Sequence, residues 1–208
     1  MPERSADDSL TLAGSTILDV RSRAELERAD LTVFRDSLRR SIVRAGEDAY
    51  LRIAVADLDC LRLAAVECSA HSVALDEAER VALLRPVRGE AEVLRRRQGT
   101  SVEPGRSLLV DVGERTTRVS HAYQGLQLLL PRARLAEAVA AMTQDAAPAR
   151  LGDRILDWSS PAGAQLDSHV VDLVRRLGAR DGRAPETGWA RLAAARALLA
   201  LVAGAILD

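Results

Sequence analysis

Val81 to Leu135 reads VALLRPVRGEAEVLRRRQGTSVEPGRSLLVDVGERTTRVSHAYQGLQLLLPRARL, and the fold turns on how this stretch is divided. Turn signals recur at Arg88-Gly89, Gln98-Gly99, Pro104-Gly105, Gly113-Glu114 and Gln124-Gly125, and the pieces between them are strand-length and rich in Val, Leu and Thr. That spacing predicts an antiparallel barrel or sandwich. Pro131 closes the sheet, because proline suits a first helical turn and fits poorly inside a central strand.

Upstream, the period is two from Tyr50 on. Leu51, Ile53 and Val55, then Leu61, Leu63 and Ala65, alternate with their neighbours around an Asp57-Leu58-Asp59 turn. His71, Val73 and Leu75 continue the pattern, with Asp76 to Glu79 as the next loop. Nearer the N-terminus, Met1 to Gly14 reads as a tail, Ser22 and Glu25 have capping-box spacing for a helix from about Arg23 to Ala29, and Phe34, Leu38 and Ile42 predict a second helix. Downstream, Leu135, Val139 and Met142 make one helical face. After a mixed connection, Leu166, Val170, Leu173, Val174 and Leu177 make another, and Trp189 to Leu207 reads as a more uniformly apolar helix.

From about Tyr50 to Met142, the succession of strands, the Arg-Gly and Glu-Pro-Gly turns and the final Leu-Leu-Leu-Pro-Arg-Ala-Arg-Leu resemble the effector-binding, cupin-like domain of AraC-type transcription regulators. Val102–Asp111 and Leu128–Leu135 carry most of the resemblance. The fold class expected is α+β, a cupin-like antiparallel β-barrel followed by a C-terminal α-helical hairpin. The expected division is an N-terminal arm with short helices (1–49), the barrel with its closing helix (50–142), and a linker with a helical dimerisation hairpin (143–208). The resemblance implies a small-molecule effector as partner and a homodimer. It also implies that DNA is contacted only through a helix-turn-helix domain, which this chain lacks. A truncated piece and a stand-alone module both fit a sequence that stops at Asp208.

Composition sets the class. The 208 residues are 48% hydrophobic and 28% charged, enough for one substantial core. Basic and acidic residues, 29 against 30, leave a formal net charge of -1, so no global field favours nucleic acid or an anionic membrane. Lysine and asparagine are both missing, which fits the codon bias of a GC-rich bacterial genome. The first residues show no apolar signal segment, and a cytoplasmic location is expected. Cys60 and Cys68 would lie roughly 26 Å apart in one extended run, too far to pair, which fits a reducing compartment. Leu192 to Leu207 is shorter than the span of about 20 residues a bilayer needs and carries Arg196, so a buried or interfacial helix is expected and no membrane partner.

No catalytic apparatus is visible. Metal cupins use a His-x-His pair, a Glu and a later His, but His71, His121 and His169 are too far apart for such a set, so neither metal nor cofactor is expected. No Gly-x-Ser-x-Gly elbow or phosphate-cradling glycine loop occurs. The Arg95-Arg96-Arg97 run reads as a solvated hairpin tip. If the Leu/Val parity marks the inward face, then Leu51, Ile53, Val55, Leu61, Leu63, Ala65, Val73, Leu83, Leu108, Val110, Val119, Leu126 and Leu128 point into the barrel with four polar residues, Glu67, His71, Arg85 and His121. These four are the candidate ligand contacts, with Arg85 foremost. The alternative function is a small cupin-fold enzyme acting on a metabolite. For the dimer, the expected interface is Leu166, Val170, Leu173 and Leu177 with Leu192, Leu199, Val202 and Ile206, because a helix apolar on several sides needs cover beyond one barrel wall.

Overall fold

The computed structural model describes residues 16–28, 37–46, 49–96, 98–120, 122–147, 151–178 and 188–208. Twelve strands and four helices are formed among them. In chain order they are β1 (Thr16–Val20), α1 (Arg23–Arg28), β2 (Ser37–Ala45), β3 (Leu51–Leu58), β4 (Leu61–Cys68), β5 (His71–Glu77), β6 (Arg80–Arg88), β7 (Ala91–Arg95), β8 (Gln98–Val102), β9 (Arg106–Val110), β10 (Gly113–Val119), β11 (Tyr123–Pro131), α2 (Arg132–Thr143), β12 (Arg154–Asp157), α3 (Pro161–Gly178) and α4 (Gly188–Leu207). All pairings are antiparallel. They build a seven-stranded sheet, β1-β3-β4-β11-β6-β9-β12, and a five-stranded sheet, β2-β5-β10-β7-β8.

Apolar side chains collect in two layers. Leu51, Ile53, Ala64, Cys68, Leu84, Val93, Leu108, Val110 and Tyr123 fill the space between the sheets. Leu61, Leu63, Leu83, Leu109, Leu126, Leu128 and Leu130 lie on the opposite face of the seven-stranded sheet, beneath α2, α3 and α4. A strand covered on both faces is apolar at every position, so parity carries no sign. That corrects the inward assignment of Leu61, Leu63, Leu83 and Leu128, which face the helical layer, while Leu126 packs in that layer and also borders the space between the sheets.

Several boundaries move. The spacing of Phe34, Leu38 and Ile42 suggested a helix, but Ser37–Ala45 is strand β2 paired with β5, while Phe34 lies outside the described residues. A separation of four keeps residues on one face at a period of two as well as 3.6, which made the two readings degenerate. Because β1 and β2 precede residue 50 and β12 follows residue 142, the barrel draws on the regions expected to be arm and linker. Gln98-Gly99 and Gln124-Gly125 lie within β8 and β11. The turns before them carry Arg96 and Ala122 at φ of 54° and 55°, and β11 takes up the slack with a register shift at Gln124/Gly125. The β3–β4 turn likewise falls at Asp59-Cys60, with Asp59 at φ 56°.

Other expectations hold. Ser22 Oγ accepts the Glu25 N–H at 3.2 Å at the start of α1, and Pro131 leads directly into α2. Leu135 and Val139 are buried on α2, but Ala136 joins them and Met142 is exposed. Cys60 and Cys68 are free thiols.

α4 is 20 residues long and by length and composition alone could cross a bilayer. Here it packs on α2, α3 and β3. The apolar circumference that pointed to a dimer is therefore partly covered by the chain itself. Leu166, Val170, Leu173, Leu199 and Val202 are buried in the helical core, with Leu177 and Ile206 packed against it and Leu192 half-buried, so these side chains are not the exposed interface expected of them.

Candidate functional site

Between the sheets lies a cavity of about 80 Å³. Its apolar wall comes from Leu51, Ile53 and Val66 on β3 and β4, Leu84 on β6, Val73 and Leu75 on β5, and Val119 on β10. Polar groups interrupt it at Cys68, His71, Thr117, Tyr123 and Gln127.

His71 is fixed by its backbone. Its Nδ1 lies 2.9 Å from the Ser69 carbonyl oxygen, and since a carbonyl only accepts, Nδ1 carries the hydrogen and the neutral ring keeps Nε2 as an acceptor. Burial lowers the imidazole pKa, and the Ser69 contact only partly offsets this. The ring therefore offers the cavity an uncharged acceptor at neutral pH. Burial, helped by the Glu67 charge, pushes the Cys68 thiol up to about 12, so it lines the wall as an inert thiol. Tyr123 folds its ring over Gly125, where a Cβ would meet Tyr123 Cζ at 2.7 Å and the Arg85 carbonyl oxygen at 3.0 Å. Glycine at 125 is what lets the ring lie there.

One step along the same strands the lining turns ionic. Leu75 and Thr117 line the cavity, and alternation places Glu77 and Arg115 next to them on the same faces of β5 and β10. The Arg115 side chain is 1% exposed and that of Glu77 4%, with Nη2 3.8 Å from Oε1. Among the described residues, Arg115 Nε and Nη1 have no hydrogen-bond partner. Burial pulls the guanidinium down to about 10, partly countered by Glu77, so it stays cationic at neutral pH.

Next to this pair, Arg95 reaches across from the five-stranded sheet. Its Nε donates to Asp153 Oδ2 at 2.6 Å and its Nη2 to the Asp111 carbonyl. Arg95 is thus a strut between the sheets, where a solvated tip was expected; Arg96 beside it is exposed and Arg97 is outside the described residues. The Asp111 carboxylate accepts the N–H groups of Val112, Leu151 and Gly152 at 2.9, 3.1 and 3.0 Å and Arg132 Nε at 3.3 Å. Burial alone would raise its pKa, but these donors outweigh burial and lower it.

Of the three expected ligand contacts among the described residues, Glu67, His71 and Arg85, only His71 lines the cavity. Arg85 is on the helix-facing side of β6, where Nη2 meets Asp167 Oδ1 of α3 at 2.5 Å and the guanidinium stacks 4.2 Å from the Trp158 ring. Trp158 is held in turn by Ser107 Oγ at 3.0 Å. Arg85 is therefore a clamp between sheet and helices, and the same lost parity that misplaced Leu83 misplaced it. Glu67 accepts a 3.4 Å hydrogen bond from Gln124 and does not line the cavity, whose β4 contributions are Val66 and Cys68. His121 lies outside the described residues. Thr117, Tyr123 and Gln127 were missed, although Thr117 shares the parity of Val119 and could have been found from it. Arg115 and Glu77 were missed because a charged residue in a turn-rich stretch reads as solvated. Among the described residues no group of three His, Cys, Asp or Glu side chains has metal-binding geometry.

A solved structure shares this architecture. The AraC-like transcriptional activator CuxR superposes with a TM-score of 0.66 at 13% identity, over 93% of this chain and 70% of that one, a likeness of fold. The Schizosaccharomyces pombe Cnp3 cupin domain overlaps 46% of this chain and 72% of its own at 10% identity and a TM-score of 0.36. Ectoine synthase from P. lautus overlaps 39% and 64% at 12% identity and a TM-score of 0.35. No curated protein matches the chain. The AraC-binding-like domain matches residues 34–207, most of the sequence, and the chain belongs to that family of regulatory domains.

Proposed function

We propose that this chain is the sensing module of an AraC-family transcription regulator, and that it binds a small organic effector between the two sheets. The observation that carries the reading is the lined cavity: an apolar wall with a few convergent polar groups, His71 Nε2 foremost, on rigid strands. At about 80 Å³ it is smaller than the roughly 300–1,000 Å³ of pockets that take drug-sized ligands, so the effector is compact. Binding rather than catalysis is the role we assign, because the wall offers an inert thiol and a single fixed histidine. Work in the cytoplasm of a bacterium, with DNA contacted by a helix-turn-helix domain outside these residues, fits the family.

We further propose that two copies pair. The surface left for this is not the buried stripe of α3 but the exposed strip of α4, Trp189, Ala193, Arg196 and Ala200, with Trp189 80% exposed. Native mass spectrometry of the protein purified from its own host tests both statements. The expected species is a pair of chains carrying added small-molecule mass that is lost on collisional activation. Bare protein under all growth conditions would sink the effector reading, and a single chain at micromolar concentration would sink the pairing.

A further inference from the structure

Arg115 is a buried cation whose surroundings do not satisfy it. Its guanidinium carries five N–H donors. The Glu77 oxygen at 3.8 Å is well beyond the roughly 2.7–2.9 Å of a charge-assisted hydrogen bond. The three hydrogens on Nε and Nη1 have no acceptor among the described residues. Leaving such donors dry is expensive, and a neutral acceptor would supply lone pairs but no compensating charge. The position is also specific. Arg115 is paired across the sheet with Leu75 and lies two residues from Thr117, both cavity residues, so its guanidinium is on the same inner face, one step beyond the residues that line the apolar chamber.

We propose that Arg115 anchors an acid group and that the effector is a compact apolar carboxylic acid. Its hydrocarbon part lies against Leu51, Ile53 and Val73, and its carboxylate accepts from Arg115 Nε or Nη1. This rests on the barrel-sensor reading above. Glu77 holds the Nη2 side of the guanidinium, which leaves Nε and Nη1 for the ligand.

Thermal unfolding of the full chain with isobutyrate and benzoate, each against its amide at equal ionic strength, tests the inference. Wild type should bind each acid at least tenfold more tightly than its amide. Arg115→Met, which keeps the length of the side chain, should lose that preference and bind both forms equally. If Arg115→Met does not fold, Arg115→Lys, which keeps the charge and loses Nε, should cut the preference severalfold. Amides binding as well as acids to wild type, an undiminished preference in the Arg115 variants, or no binding of any probe would each overturn the proposal. Val73→Trp, which fills the chamber, separates the two levels. Amide binding that Val73→Trp abolishes would leave the sensor reading standing while the acid proposal fell, whereas probe binding indifferent to Val73→Trp would remove both.

Discussion

The seven-stranded sheet is buried on both faces, with the cavity on one side and three helices on the other. The five-stranded sheet turns only one face inward. On β10, Arg115, Thr117 and Val119 point in while Glu114 and Arg118 are exposed. The contrast shows what each sheet can contribute. A doubly covered sheet is a wall whose central strands are mostly apolar, with Cys68, Tyr123 and Gln127 as its polar groups at the cavity, and a singly covered one also places a charged pair, Arg115 and Glu77, on its inner face. The buried Arg115–Glu77 pair occurs on the second kind.

The largest expected effect is on the doubly covered side. Arg85→Ala leaves Asp167 uncompensated where both partners are mostly buried, and should cost about 3–5 kcal/mol in urea unfolding. Replacing both, Arg85→Met with Asp167→Leu, should recover much of that loss; a double variant as unstable as the single one would mean that the clamp is not the cause. Leu63→Ala, facing the helices, should cost about 2–5 kcal/mol by leaving a void in a filled layer. Val119→Ala, beside existing space, should cost only about 1 kcal/mol, and equal losses at the two positions would contradict the difference in packing. Smallest is Arg118→Ala on the wet face, where the 3.5 Å contact with Glu92 is largely solvent-exposed. Its stability should stay within about 0.5 kcal/mol of wild type, checked by the same unfolding curves.

This contrast also governs how much could be read from the sequence. On the five-stranded side, the period of two placed His71, Val73 and Val119 correctly, because polar residues mark the outer face. On the seven-stranded side, Leu61 to Cys68 and Val81 to Leu84 are apolar nearly everywhere, so the strands were legible and their facing was not. Arg85 shows the consequence, since its direction depends on α3 and Trp158, more than seventy residues away in the sequence. The β12 strand was hidden for a related reason. Four residues, Arg154 to Asp157, give too short a pattern to register, and it is pairing with β9 that makes them a strand. Arg115 and Glu77 carried no local signal, because a charge paired across two strands looks like any surface charge until the strands are brought together.

β12 and β8 have a further consequence as one end each of the two sheets, whose other ends are β1 and β2. An outermost strand presents unsatisfied peptide groups that invite a foreign strand to continue the ladder. β12 is only four residues long and places Arg154 and Asp157 at its two ends, and β8 runs Gln-Gly-Thr-Ser before its single Val. Both are poor templates for strand-to-strand growth, the first too short and charged, the second too polar and glycine-softened. The twelve described strands can therefore stand in crowded surroundings without nucleating aggregation along these two edges.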